Sequence, residues 1–229
     1  MTRGSAASPA LLAVGLQGVA IAERAYQQAL GYANERRQGR AIGAAEGMSP
    51  IIVHPDIQRN LLTMKALTAA ARAICYMTAE AIDRSHLEED AASRKKAHER
   101  ASLLTPVAKA FSTDIGVEVA SLGVQIHGGM GFVEETGAAQ HYRDARIAPI
   151  YEGTNGIQAI DLVARKLPLR EGGVIKDHLE ALDRGEPIPG TSAPTRLTIS
   201  WNIIVWLHSS TDSCRQYRYS GEPLGTQNV

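Results

Sequence analysis

Apolar residues recur at helical spacing near the start of the chain. One stripe, at steps of three and four residues, comprises Leu12, Leu16, Val19, Ala22, Tyr26, Ala29 and Ala33. Such a stripe is typical of an amphipathic helix that buries one face. A signal peptide cleaved after Ala22 is an alternative interpretation, but cleavage there would divide the stripe. The pattern therefore favours one helix that begins near residue 10.

A second helix is predicted after His54-Pro55, with Asp56 as its N-cap. Its apolar face comprises Ile57, Leu61, Met64, Leu67, Ala71, Ile74, Thr78 and Ala81. The pattern ends near Arg84, and the acidic stretch 85–93 is interpreted as a solvated connection. A third helix is predicted from Arg94.

Pro106 interrupts the third helix, and two interpretations are open: a kink in one long helix, or a new start capped by Thr105. Two apolar faces follow, namely Val107, Ala110, Asp114, Val117, Ser121 and Val124, and Ala108, Phe111, Ile115 and Leu122. A helix apolar on two sides is buried between neighbours, so we also expect self-association. Further helices are predicted over 155–166 and 174–182. We therefore expect an all-α, up-down helical bundle.

The composition changes abruptly near residue 185. Residues 1–185 contain 33 alanines, whereas residues 186–229 contain one alanine, both tryptophans and no helical period. We predict a helical domain over 1–185 and an irregular tail over 186–229 that lies outside the fold and adds nothing to its stability. A flexible tail with an apolar patch around Trp201 and Trp206 is the alternative.

Charge and cysteine content narrow the functional class. The chain has 24 basic and 24 acidic residues, so its formal net charge is zero and binding to nucleic acid is not expected. No apolar run is long enough to span a membrane. Cys75 and Cys214 are too few for a disulfide framework or a structural zinc site, which favours a reducing compartment and a cytoplasmic location.

Three segments stand out from the helical pattern: QIHGGMGF (125–132), YRDARI (142–147) and YEGTNGIQ (151–158). The glycines of the first could admit a ligand close to the backbone or simply end a helix. Glu152 could similarly serve only to complement the dipole of a helix capped by Thr154. Each segment alone favours the structural interpretation, and no metal site is predicted.

Together, in this order and spacing, the three segments resemble the C-terminal helical domain of the flavin-dependent acyl-CoA dehydrogenases. The resemblance extends over about residues 10–166 and includes ERRQGR (35–40) and LLTPVAK (103–109). These spellings resemble most closely the large subfamily that includes 3-methylmercaptopropionyl-CoA dehydrogenase. Family members carry two further domains ahead of this one, so we interpret the sequence as a fragment and expect it to bind flavin weakly or not at all by itself.

The resemblance implies α,β-dehydrogenation of an acyl-CoA substrate with FAD as cofactor. By match to the family motif, Glu152 is the base that removes the α-proton, while the β-hydrogen leaves as hydride to the flavin. The match assigns Tyr151 and Gly153 to substrate binding. It assigns contacts with FAD to the next positions, Thr154, Asn155 and Gly156.

The resemblance also implies contacts across a dimer interface. Arg36 matches a residue that reaches the flavin pyrophosphate of a neighbouring subunit, and Gln125 and Gly129 match positions at the adenosine half. It further implies a homo-oligomer that passes electrons to an electron-transfer flavoprotein or similar acceptor. Arg143, Asp144 and Arg146 are interpreted as a structural ion-pair cluster. The alternative function is an inactive helical oligomerisation module that no longer binds flavin.

Overall fold

The computed structural model describes residues 9–44 and 46–184, and this part of the chain is all-α, as predicted. Three long helices form the main core: α1 (Pro9–Glu35), α2 (Pro55–Leu87) and α3 (Ala91–His127). Four shorter helices follow: α4 (Gly129–Phe132), α5 (Ala138–Ala145), α6 (Asn155–Asp161) and α7 (Gly173–Asp183). Single helical turns at Ile51–Val53, Glu134–Thr136, Leu162–Lys166 and Leu169–Gly172 join them.

The long helices alternate in direction, which confirms the predicted up-down bundle. The contacts that fix their directions are Gly15 to Ala108 and Gly123 to Ala25 between α1 and α3, and Cys75 to Ser112 and Gly123 to Met64 between α2 and α3. Helix α2 is thus antiparallel to both others. The chain after α3 then returns along the bundle, through contacts of His141 with Gln28, Tyr151 with Gln17 and Arg170 with Glu99.

Helices α1 and α3 pack closely because small residues line their contact. A Cβ atom added to Gly18 would lie 2.3 Å from the backbone oxygen of Ser112, and one added to Gly15 would lie 2.7 Å from that of Ala108. Further along α1, Ala22 and Ala29 are fully buried. Close approach of two backbones explains how an alanine-rich chain with few aromatic residues builds a dense core.

The predicted faces of α1 and α2 are confirmed, although Leu16 is 39% exposed. The prediction of Asp56 as N-cap is wrong: α2 begins at Pro55, with His54 as the N-cap. Proline suits the first helical position because its missing N–H would have no helical partner there. Asp56 lies within the first turn and accepts a hydrogen bond from Arg59 at 2.6 Å.

The connection between α2 and α3 is shorter than predicted, since only residues 88–90 lie outside helices. Asp90 caps α3, because its carboxylate accepts a hydrogen bond from the Ser93 amide at 2.7 Å. Pro106 lies inside one continuous helix, and Thr105 does not start a new one. Instead, the Thr105 hydroxyl donates to the Ala101 carbonyl at 2.7 Å.

The expectation of two apolar faces on α3 holds only for part of the helix. Residues 101–113 are all buried, but Asp114, Glu118 and Ser121 are exposed. The predicted helix over 155–166 is α6 followed by a π-helical turn, and the predicted helix over 174–182 is α7. Residues 186–229, with Trp201, Trp206 and Cys214, lie outside the described residues, so the division at residue 185 stays a prediction.

Burial of Cys75 predicts a stability change at alkaline pH. Desolvation raises the pKa of its thiol to about 11, against a smaller opposing effect of the Ser112 hydrogen bond. From about pH 9 the unfolded thiol ionises while the folded thiol keeps its proton, so stability falls as pH rises toward 11. At about 1.4 kcal/mol per pKa unit, the loss over that interval is about 3 kcal/mol.

Urea unfolding at a series of pH values from 8 to 11 measures this loss. Comparison with Cys75→Ala isolates the thiol, because all other titrating groups are shared. We expect the stability difference between the two proteins to narrow or change sign as pH rises. Parallel pH profiles would contradict the prediction.

Candidate active site

The turn that enters α6 has an unusual backbone. Glu152 has φ 54° and Gly153 has φ 82°, so two consecutive residues are left-handed. This conformation costs a residue with a side chain about 1–2 kcal/mol and persists where the surroundings hold it. The Glu152 side chain is exposed, and its carboxylate bonds to no described residue. The fold thus fixes the backbone at Glu152, while the carboxylate makes no bond with the described residues.

A buried lysine of α3 donates hydrogen bonds to this turn. The Nζ atom of Lys109 donates to the Gly153 carbonyl and to Oδ1 of Asn155, both at 2.8 Å. Lys109 is 0% exposed. Burial lowers the pKa of its ammonium group, and the charge of Asp114 opposes that shift.

Asn155 ties the start of α6 to α3 with its whole amide group. Its Nδ2 donates to Oδ1 of Asp114 at 2.7 Å and to the Ala110 carbonyl at 3.1 Å, while its Oδ1 accepts from Lys109. The amide also lies 3.0 Å from the Thr113 hydroxyl. The structure therefore gives Asn155 a supporting role in the turn, and its predicted contact with FAD stays a prediction.

Three further side chains fix the turn. Thr154 caps α6 as anticipated, since its hydroxyl oxygen accepts from the Ile157 amide at 3.3 Å. The Tyr151 hydroxyl donates to Oε1 of Gln17 on α1 at 2.5 Å. Nε2 of Gln158 lies 3.4 Å from the Gly153 carbonyl. Residues 151–156, all predicted from the family motif, thus form one structural unit.

The glycine-rich segment ends α3. Gly128 is its C-cap, with φ 60°, and a Cβ atom added to Gly131 would lie 2.2 Å from the Val124 carbonyl. Gly129 is exposed and faces open space. The helix-stop interpretation is therefore correct, and the surface at Gly129 remains open to a ligand.

The other predicted cofactor residues lie at the far end of the bundle. Arg36 follows the last turn of α1, and Gln125 lies in the last turn of α3 next to Gly129. All three are exposed, and the side chains of Arg36 and Gln125 bond to no described residue. Gln125 lies sixteen positions after Lys109 in α3, which corresponds to about 24 Å along the helix. The predicted site residues thus form two separate groups.

The predicted Arg143–Asp144–Arg146 ion-pair cluster is wrong. Arg143 pairs with Glu134 at 3.6 Å and also donates to Gln140, and Gln140 donates to Asp144 at 2.6 Å. A neutral amide thus connects the two charged residues. Exposed contacts of this kind contribute little to stability.

Sequence reasoning missed the residues that support the turn: Lys109, Gln17 and Gln158. The available signal was a lysine within the continuous apolar run of α3, where an ammonium group needs partners. Among residues 9–44 and 46–184, no group of three His, Cys, Asp or Glu side chains could hold a metal ion. Within the same residues, no helix is long and apolar enough to cross a membrane.

Comparisons with known proteins bear out the resemblance. Residues 10–167 match the family model described as "Acyl-CoA dehydrogenase, C-terminal domain". The chain is 59% identical over 163 residues to 3-methylmercaptopropionyl-CoA dehydrogenase of Ruegeria pomeroyi, which is 70% of this chain and 27% of that protein. It is 32% identical over 148 residues to the caffeyl-CoA reductase–Etf complex subunit CarC of Acetobacterium woodii, or 64% of this chain and 33% of that protein.

A solved structure gives the same result. An acyl-CoA dehydrogenase complexed with FAD from Bacillus anthracis superposes with a TM-score of 0.59 at 30% identity, over 82% of this chain and 32% of that chain. The chain spans between about a quarter and a third of the length of these relatives.

Proposed function

Because the chain belongs to the acyl-CoA dehydrogenase family, we propose that it supplies the C-terminal helical part of an FAD-dependent enzyme that oxidises the α,β bond of an acyl-CoA. One observation carries the proposal: Glu152, whose carboxylate bonds to none of the described residues, lies on a left-handed turn that Lys109 holds. By the resemblance of the YEGT segment to the family motif, Glu152 corresponds to the catalytic base.

Glu152 has the chemistry that α-proton removal requires. A proton next to a thioester carbonyl is weakly acidic, so the base must be an ionised group that loses water when the substrate binds. Ile150 and Ile157, on either side of the turn, are 50% and 53% exposed. We propose that these apolar side chains face the acyl chain or the rest of the enzyme, and so help to exclude water from Glu152.

The residues near Glu152 fit the remaining assigned roles. Gly153 has no side chain that could obstruct the thioester, and Tyr151 is fixed against α1 by Gln17. The Thr154 hydroxyl accepts one hydrogen bond and keeps its proton for a phosphate oxygen, and Gly156 presents exposed backbone. FAD bound beside these residues would supply the acceptor for the hydride that leaves the β-carbon.

The two groups of predicted cofactor residues support a homo-oligomer. A separation of about 24 Å along α3 suits contacts with two FAD molecules, one in each subunit. The exposed guanidinium of Arg36 suits a pyrophosphate, because its planar donors match two oxygens at once. Gln125 and Gly129 present an exposed amide and exposed backbone at the same end of the bundle. We propose an electron-transfer flavoprotein or a similar protein as the electron acceptor.

A chimera tests the proposed function. The matching 163 residues of the Ruegeria pomeroyi relative are replaced by those of this chain, which is practical at 59% identity. We expect the chimera to bind FAD and to lose its flavin absorption when a substrate of the parent enzyme is added. A folded, flavin-loaded chimera that shows no such bleaching would contradict the proposal. A folded chimera that binds no flavin would contradict it as well and would favour the inactive oligomerisation module.

A further inference from the structure

Lys109 stands out among the ionisable side chains of the described residues. It has no exposed surface, and none of the ion pairs within residues 9–44 and 46–184 includes it. Both hydrogen bonds of its Nζ are made to the 153–155 segment, 44 and 46 residues away in sequence. A buried ammonium group is costly, so its position requires these two acceptors.

The bonds of Lys109 act on the strained part of the turn. Its first acceptor, the carbonyl of Gly153, belongs to the peptide that follows directly on the left-handed pair Glu152–Gly153. The other donor to that carbonyl, Gln158, is more distant, at 3.4 Å against 2.8 Å. The second acceptor is Oδ1 of Asn155, and Nδ2 of the same amide donates to Asp114. The bond from Lys109 therefore helps to orient the Asn155 amide.

We propose that Lys109 is a positioning residue that holds the 151–155 turn in the conformation from which Glu152 reaches the substrate. Lys109 does not touch the reacting atoms. Lys109 acts through the carbonyl of Gly153 and the amide of Asn155. This proposal rests on the proposed function only for the role given to Glu152. Displacement of a reacting group by about 1 Å costs on the order of a hundredfold in rate, so loose anchoring of the turn is expected to slow the reaction.

The first test concerns the turn itself and needs no cofactor. Amide hydrogen exchange is measured by mass spectrometry on this 229-residue chain and on Lys109→Met, which keeps the length and apolar stem of the side chain. The reporter amides are those of Tyr151 and Asn155, which donate to Ile147 and Pro149 carbonyls at 3.2 and 3.0 Å. We expect exchange in this segment to accelerate at least tenfold while exchange in α2 is unchanged.

Lys166→Met is the matched control. Lys166 is likewise a buried lysine, and burial also lowers its pKa, but it pairs with Asp161, at 3.8 Å, which is the last residue of α6, whereas the turn precedes the first residue of that helix. We expect this variant to leave exchange of the Tyr151 and Asn155 amides unchanged. If Lys109→Met does not fold, Lys109→Leu, which also lacks a donor, takes its place. Equal exchange in the Lys109 variant and the parent chain would overturn the proposal.

The second test separates positioning from general structural damage. In the flavin-loaded chimera, we expect Lys109→Met to lower kcat by ten- to a hundredfold, with KM for the acyl-CoA within twofold of the parent value, and Lys109→Arg to recover part of the loss. A change in KM alone would overturn the proposal. If instead Glu152→Gln keeps full activity, the base assignment fails, whereas the exchange result still decides whether Lys109 holds the turn.

Discussion

Glu152→Gln is expected to slow acyl-CoA-dependent bleaching of the flavin in the chimera by roughly a hundred- to ten-thousandfold, the usual contribution of a positioned acid–base group. Glutamine keeps the shape of the side chain and removes its basicity. The Glu152 carboxylate makes no bond with the described residues, and the turn is held by Lys109, Gln158 and Asn155. FAD and acyl-CoA are therefore expected to bind as before.

Stopped-flow absorbance at the flavin band measures this rate. Glu135→Gln is the control, because Glu135 is another exposed glutamate that belongs to no ion pair among the described residues. We expect the control to bleach at the parent rate. Undiminished bleaching in Glu152→Gln, or an equal loss in both variants, would show that the base lies elsewhere.

Gly18→Ala is expected to destabilise the chain by about 3 kcal/mol, at the upper end of the usual cost of overpacking a core. The added methyl carbon would lie 2.3 Å from the Ser112 carbonyl oxygen and 2.9 Å from Cα of Thr113. Both are backbone atoms of the fully buried part of α3, so neither can move aside as a flexible side chain would. The clash can be relieved only if α1 and α3 move apart.

Gly31→Ala in the same helix is the matched control, and its effect on the free energy of unfolding is expected to have the opposite sign. Apart from the neighbouring backbone of α1, no atom of the described residues lies within 4 Å of a Cβ atom added there, and Gly31 is exposed in the interior of α1. Alanine is favoured over glycine in such a position by about 0.5–1 kcal/mol, so this variant is expected to be slightly more stable. Urea unfolding of the two variants measures both effects. A stable Gly18→Ala variant would show that α1 and α3 do not pack so closely.

The helices of this protein could be predicted because their signal is local. The stripe from Leu12 to Ala33 and the face from Ile57 to Ala81 follow helical spacing, and 11 of these 15 positions are buried. Helix ends were predicted less well. Asp56 and the boundary near Arg84 were misplaced, because a cap depends on backbone angles and hydrogen bonds rather than on periodicity.

The site could be predicted only in part, for a different reason. The family motif identified Glu152 and its neighbours because they are adjacent in sequence, and the fold shows that they form one turn. Lys109 supports that turn from more than forty residues away in sequence. A lysine in an apolar run indicates that its ammonium group needs acceptors, but the sequence does not indicate which acceptors these are. Arg36 and Gln125 lie at the same end of the bundle because α1 and α3 are parallel, and the sequence alone does not show that these two helices are parallel.

Exchange of the substrate's α-hydrogen tests the central claim most directly. The probe is an acyl-CoA with sulfur in place of the β-carbon, which has no β-hydrogen to lose as hydride and can lose only the α-proton. In D2O, the flavin-loaded chimera is incubated with this thioester, and loss of the α-proton signal is followed by NMR. We predict rapid exchange with Glu152 present and exchange slowed at least a hundredfold in Glu152→Gln. Equal exchange in the two proteins would contradict the assignment of Glu152 as the base.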